Sequence, residues 1–130
     1  MATIKSYTDI EQSKKLAEIL PLESADCYWD YDEIQKFHRI SWFEDGYNKE
    51  SQLRLNENNV CAWSLTALLS VLPSIIKRKG KIMFLTLEKA GAYNLYYKSQ
   101  DRLDELWETK EEPIDACAEM IELLYEQKLL

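Results

Sequence analysis

The longest apolar run of the chain lies at residues 60–76 and predicts a buried central helix. Within the run, four leucines share one face at helical spacing, and smaller apolar residues cover much of the rest: Leu65, Leu68, Leu69 and Leu72, with Ala62, Ala67 and Val71. We expect this helix over 61–72, with Asn58 and Asn59 as candidate N-caps. A membrane span needs about 20 predominantly apolar residues. This run is shorter, contains serines and a proline, and ends at Lys77, which favours a core helix.

Two further helices are predicted near the ends of the chain. Thr8 and Glu11 have the spacing of a capping box, and a proline ends the amphipathic pattern that follows, which predicts a first helix over 9–20. Pro113 suits a first helical position, and apolar residues continue from there at helical spacing. This pattern predicts a last helix over 113–127.

The clearest β signal is a hairpin over 81–99. Both of its halves are rich in strand-forming residues, and Gly91 between them can adopt the positive φ that short hairpin loops require. A weaker alternation predicts a strand over 36–43. Residues 103–109 are compatible with a strand or a helical turn, and we favour a strand that extends the hairpin. Residues 48–59 are mostly polar and predict a loop.

These elements predict an α+β fold in which a small antiparallel sheet packs against three α-helices, as a single domain over 1–130. The helices are expected to cover one face of the sheet, and the aromatic segment 28–47 part of the other. The length of 130 residues suits one domain, and the 46% hydrophobic content is enough for a real core.

The three cysteines, Cys27, Cys61 and Cys117, have apolar or aromatic neighbours and form no Cys-x-x-Cys pair. This spacing excludes a zinc ribbon and a thioredoxin-like redox motif. Buried free thiols suit a reducing compartment, and charged residues near the N-terminus interrupt any apolar signal core. We therefore expect a cytoplasmic protein.

The sequence offers little catalytic chemistry. The one histidine, His38, could activate a thiol, but nothing around the cysteines resembles a nucleophile motif. A calcium loop that begins at Asp30 fails, because its sixth position is Gln35 rather than glycine and its twelfth is Ser41 rather than glutamate. Glycine-rich phosphate loops and a His-Glu-x-x-His motif are absent from the sequence. We expect no catalytic residue, no metal site and no cofactor.

The acidic, aromatic segment 28–47 is the best candidate for a functional surface. Tyrosine and tryptophan are enriched at interaction surfaces, and neighbouring carboxylates suit a cationic partner. The candidate interaction or ligand residues are Tyr28, Trp29, Asp30, Tyr31, Asp32, His38 and Trp42. We favour the alternative that Trp29, Phe37, Trp42 and Phe43 close the core under this long irregular segment. A pocket lined by Tyr28, Trp29, His38 and Trp42 would instead bind a small ligand or support an enzymatic activity.

The charge of the chain bears on its partners. A formal net charge of −7 and a pI near 4.8 disfavour nucleic-acid binding. The one basic cluster comprises Lys77, Arg78, Lys79 and Lys81, and we expect it to balance the C-terminus of the central helix.

Three segments carry a resemblance to a known group of proteins: residues 21–26, residues 61–73 and residues 113–130. They resemble a family of small uncharacterised proteins encoded by gut anaerobes and by their phages and mobile elements. The resemblance implies a compact stand-alone protein from a mobile-element setting and brings no catalytic residues. Region 28–58 and the hairpin are peculiar to this member.

The expected function is that of a non-catalytic accessory protein that acts by binding another protein. A small-ligand or enzymatic domain with a pocket near 28–47 is the alternative. A third hypothesis is a structural subunit that associates with itself through a self-complementary apolar patch.

Overall fold

The computed structural model describes residues 5–101 and 105–130. The described residues form two compact units, which are treated separately. The N-terminal unit is Tyr7–Ala67, and the C-terminal unit comprises Lys5, Ser6 and residues 68–130. The single domain over 1–130 stays a prediction.

The N-terminal unit contains a three-stranded antiparallel sheet with β1 (Cys27–Asp32) between β2 (Phe37–Trp42) and β3 (Val60–Ala62). The Asp32 side chain accepts hydrogen bonds from the backbone N–H groups of the next turn, which closes the β1–β2 hairpin. The strand predicted over 36–43 is confirmed as β2. Strand β1 was not predicted. Together with β2 it makes most of segment 28–47 a β-hairpin.

The first helix of this unit is shorter than the sequence pattern predicts, and the second was not predicted. Helix α1 runs over Ile10–Ala17, and α2 over Lys49–Leu53 lies within the predicted loop. The predicted capping box is wrong by one residue, because Asp9 and Gln12 form it. The Thr8 hydroxyl is occupied elsewhere, since it accepts a hydrogen bond from the backbone N–H of Trp63 at 3.1 Å.

The predicted helix over 61–72 is wrong in its first part. Residues 60–62 form β3, which pairs with β1, and α3 covers only Leu65–Val71. The Ser64 hydroxyl accepts a hydrogen bond from the backbone N–H of Ala67 at 3.2 Å, which is an N-cap interaction. The predicted caps are also wrong, because the Asn59 side chain instead accepts from the backbone N–H of Tyr31. The burial of the helix is confirmed at Leu68, which is fully buried.

The C-terminal unit contains a four-stranded antiparallel meander. Its strands follow chain order: β4 (Ile75–Arg78), β5 (Lys81–Ala90), β6 (Ala92–Ser99) and β7 (Glu105–Lys110). The predicted hairpin over 81–99 is confirmed, with Gly91 at φ +77° in its turn. The predicted strand over 103–109 is confirmed from residue 105 onward, and residues 103 and 104 lie outside the described residues.

The basic cluster does not lie at a helix C-terminus. Lys77 and Arg78 belong to β4, and Lys79 and Gly80 form the turn to β5 with φ values of +52° and +78°. Positive φ at both central residues is the type I′ geometry that matches the twist of a hairpin. The prediction failed because the chain after Pro73 starts a strand rather than ending a long helix.

The last helix is confirmed as α4 (Pro113–Glu126), which packs against β6 and β7. Its inward face is fully buried along about three turns: Ile114, Cys117, Met120, Ile121 and Leu124. The α+β class and the antiparallel pairing are confirmed, but the described residues contain two sheets and four helices rather than one sheet and three. None of the described helices is long and apolar enough to cross a membrane.

Candidate functional surfaces

The sequence-predicted site residues all lie on the β1–β2 hairpin, but on opposite faces of its sheet. Side chains alternate along a strand, and residues paired across an antiparallel ladder share a face. The register therefore places Trp29, Tyr31, His38 and Trp42 on one face and Tyr28, Asp30 and Asp32 on the other. Because Tyr28 and Trp29 point in opposite directions, one pocket on this sheet cannot be lined by both.

The face that carries Trp29 is tied to the start of the chain. The Trp29 indole N–H donates to the carbonyl oxygen of Thr8 at 3.0 Å, and the Tyr7 ring meets the Trp29 ring edge-on. These contacts give Trp29 a packing role within the N-terminal unit. Trp42, which pairs with Cys27 at the open end of the hairpin, is 55% exposed.

His38 lies on the same face with a structural hydrogen bond. Its Nε2 is 2.9 Å from the carbonyl oxygen of Asn58, which can only accept, so Nε2 carries the proton. Its ring also contacts the ring of Tyr31, with centroids 4.9 Å apart. A histidine held in this way orders the loop before β3, and a thiol is not among its contacts.

The opposite face uses its polar groups for local structure. Tyr28 packs on Phe43 at a centroid distance of 4.8 Å, and burial raises the pKa of the Tyr28 phenol. The backbone hydrogen bonds that Asp32 accepts from Gln35 and Ile34 lower the pKa of its carboxyl group. Asp32 therefore remains ionised as a turn-forming residue, whether or not it also meets a partner.

An open depression of about 500 Å³ flanks the hairpin segment and is lined by residues 22–23 and 48–50. The Lys49 ammonium group is its main cation, and it donates to the carbonyl oxygens of Glu23 and Ala25 at 2.9 and 2.5 Å. The cation is thus already bound by backbone acceptors. Lys49 therefore has a structural role, in which it links α2 to the backbone at Glu23 and Ala25. The residues that line the depression supply no catalytic group.

The cysteines are unsuited to nucleophilic chemistry. All three are buried and free, as predicted. Burial raises the pKa of Cys27 and Cys117 to about 12 and that of Cys61 to about 11. Since the thiolate is the reactive form, these thiols stay protonated and inert near neutral pH. Within residues 5–101 and 105–130, no cluster of three or more His, Cys, Asp or Glu side chains could hold a metal ion.

A different surface with several exposed apolar side chains was missed from the sequence. It is the face of the four-stranded sheet opposite α4, which we call the open sheet face. The ladder register assigns fourteen side chains to it: Ile75, Lys77, Ile82, Phe84, Thr86, Glu88, Ala90, Ala92, Asn94, Tyr96, Lys98, Glu105, Trp107 and Thr109. Four of the large apolar members are 41–55% exposed, namely Ile75, Ile82, Phe84 and Trp107.

The apolar members of the open sheet face form a band across all four strands. Ile75 on β4 pairs with Phe84 on β5, and Tyr96 on β6 pairs with Trp107 on β7. Phe84 and Tyr96 are diagonal neighbours on adjacent strands, a distance that aromatic side chains can bridge. The band is therefore continuous rather than a set of scattered residues.

The aromatic rings of the band are arranged in a way that limits what they can bind. Tyr96 and Trp107 stack with centroids 4.5 Å apart and planes within 5° of parallel. The Lys98 ammonium group lies 5.7 Å from the centroid of Tyr96. With a ring on one side and a cation nearby, Tyr96 has little free ring face on which a nucleobase could stack. The arrangement suits contact with apolar side chains better.

One signal in the sequence could have revealed this face. In a strand with one solvated face, apolar and polar residues alternate. Residues 82–87 instead are apolar at both parities, with Ile82 and Phe84 facing outward and Met83 and Leu85 inward. Apolar residues at both parities predict that both faces of the strand are buried against other parts of a protein.

The comparisons with known proteins identify no relative. No protein-family model matches the chain, and no curated protein or solved structure is similar to it.

Proposed function

We propose that this chain is a non-catalytic accessory protein that acts by binding another protein, and that the open sheet face is its binding surface. The observation that carries the proposal is the apolar band across β4–β7, which is exposed, whereas α4 packs on the opposite face of the same sheet at β6 and β7.

The size of the band supports a binding role. Side chains of this kind have areas of roughly 150–250 Å², so fractions of 41–55% leave on the order of 100 Å² exposed on each of the four residues. The contiguous apolar area is then about 400 Å², which is in the range of the largest patches on soluble monomers, and such patches are often functional.

The chemistry of the remaining chain also favours binding over catalysis. The thiols have raised pKa values, and the ring of His38 is held by a backbone carbonyl group. Asp32 stabilises its own turn. The reduced thiols suit a cytoplasmic protein, and the mobile-element setting implied by the resemblance remains part of this proposal.

Photo-crosslinking in the cells that express the protein tests the proposal. p-Benzoylphenylalanine is placed at Ile82 or at Trp107, and at Leu55 as a matched control, because Leu55 is 81% exposed in the N-terminal unit and outside the band. We expect covalent protein adducts at Ile82 and Trp107 that exceed those at Leu55. If the adducts at the two band positions are no more abundant than at Leu55, the open sheet face is not a binding surface.

A further inference from the structure

We infer that the partner of the open sheet face is a second copy of this chain, with the two sheets packed face to face. This inference rests on the proposed function, since it names the occupant of the same surface. Two sheets that pack in this way bury their facing side chains in a layer about 10 Å thick, as in a β-sandwich.

The charge of the face is the first argument. Its fourteen outward positions include two lysines, Lys77 and Lys98, and two glutamates, Glu88 and Glu105, so the face is neutral on a chain whose net charge is −7. A surface evolved for a cationic or anionic partner would carry mainly one sign of charge. A neutral face lets two acidic copies meet without setting like charges against each other.

Part of the charge is also compensated within the face. The Lys98 ammonium group lies 3.7 Å from the Glu105 carboxylate, and the Tyr96 hydroxyl donates to Glu88 at 3.5 Å. The other two charges, on Lys77 and Glu88, are of opposite sign, so binding does not require a partner surface with a net countercharge. A suitable partner surface has the same composition, with apolar side chains at the centre and mixed charges around them. A second copy of the chain provides such a surface.

The area is sufficient for a dimer with an interface of standard size. The four apolar residues expose on the order of 100 Å² each, and about half as much from each of the eight other side chains larger than alanine gives roughly 800 Å² per copy. That value is about the contribution of one partner to a standard interface. The Tyr96–Trp107 stack offers two adjacent ring edges in this area, and aromatic residues of this kind are frequent energetic centres of interfaces.

Sedimentation of the purified chain over a wide concentration range tests the inference. We expect a reversible monomer–dimer equilibrium. Phe84→Glu and Trp107→Glu should each weaken it by roughly 30-fold or more, as removal of a central interface residue does. Leu55→Glu, which adds the same charge outside the band, should leave the equilibrium unchanged. Far-UV circular dichroism shows whether each variant is folded. If one of the two band variants does not fold, the other one tests the inference.

The outcomes separate this inference from the proposed function. A wild-type chain that stays monomeric at every concentration overturns the second copy as partner, and crosslinks from Ile82 or Trp107 to other proteins would then leave the proposed function standing. A dimer that both band variants form as tightly as the wild type places the contact elsewhere and also overturns the inference. A dimer that is lost in both band variants and kept in Leu55→Glu supports it.

Discussion

Replacing Asp26 with alanine should destabilise the N-terminal unit, because this carboxylate links the start of β1 to the start of α3. One oxygen, Oδ1, accepts a hydrogen bond from the backbone N–H of Ser64 at 2.9 Å, and Oδ2 accepts another from the Ser64 hydroxyl. That hydroxyl in turn accepts from the backbone N–H of Ala67, in the first turn of α3. The substitution removes both acceptors at once and leaves the Ser64 donors without their partner.

The magnitude follows from the kind of bond that is lost. Hydrogen bonds to a charged group contribute about 1.5–3 kcal/mol each, and water replaces part of this at a half-buried site, so we expect a loss of about 3 kcal/mol in the free energy of unfolding. For a chain of this size, such a loss lowers the melting temperature by roughly 10 °C. Asp26→Asn keeps one acceptor oxygen and should cost about half as much.

Urea unfolding followed by tryptophan fluorescence measures this effect. Trp63, which is fully buried beside Ser64 in the sequence, is expected to report loss of the packing in this region. Asp45→Ala is the matched control, because Asp45 is an exposed carboxylate in the loop after β2. If Asp26→Ala lies within about 0.5 kcal/mol of the wild type, as surface substitutions usually do, the proposed link between β1 and α3 is wrong.

Three further predictions concern stability. Leu68→Asp should prevent folding, since it places an unpaired charge at a fully buried position, and a folded spectrum by circular dichroism would contradict this. Tyr97→Phe should cost about 1–2 kcal/mol in urea unfolding, because the Tyr97 hydroxyl donates to the carbonyl oxygen of Pro73 at 2.6 Å, whereas Tyr125→Phe at an exposed position should be neutral. The folded-state pKa values of the three buried thiols lie above that of an exposed thiol, about 8.5. The unfolded state therefore releases these protons first, and stability should fall as the pH rises from about 9 towards 11. Replacing all three cysteines with alanine should flatten this dependence, and an unchanged slope would refute the assignment.

The sequence predicted elements well where one local signal dominated. Pro113 at the first position and the apolar spacing after it marked α4, and Gly91 marked the β5–β6 hairpin. Both elements have partners close in sequence, since α4 packs against β6 and β7, which directly precede it. Local patterns are reliable in such cases because the tertiary contacts reinforce them.

The predictions failed where a distant strand decided the structure. Residues 60–62 have the apolar character of the helix that follows them, but pairing of Cys61 with Tyr28 makes them a strand. Short apolar runs cannot be assigned to a helix or a strand by periodicity alone, and a partner more than thirty residues away leaves no local signal. The same reason hid β1 within the aromatic segment.

The open sheet face was missed for a related reason. The acidic and aromatic composition of segment 28–47 indicated a functional surface, yet the structure shows Tyr28 buried and Trp29 packed against Tyr7. The interaction role of the seven candidate residues stays a prediction, and Trp42 is the most exposed of the seven. The open sheet face is built from residues of four strands, and only the register brings Phe84 and Trp107 onto the same surface. Composition alone could not show this, because it depends on which side of each strand faces α4.

Hydroxyl-radical footprinting at increasing protein concentration tests the central claim most directly, because it reports the exposure of individual side chains. If the open sheet face binds a second copy, the oxidation rates of Phe84 and Trp107 should fall as the concentration rises, while that of Tyr47, which is 67% exposed in the N-terminal unit, stays constant. Rates at Phe84 and Trp107 that do not change over the range in which the chain associates, or that fall no more than the rate at Tyr47, would contradict the account.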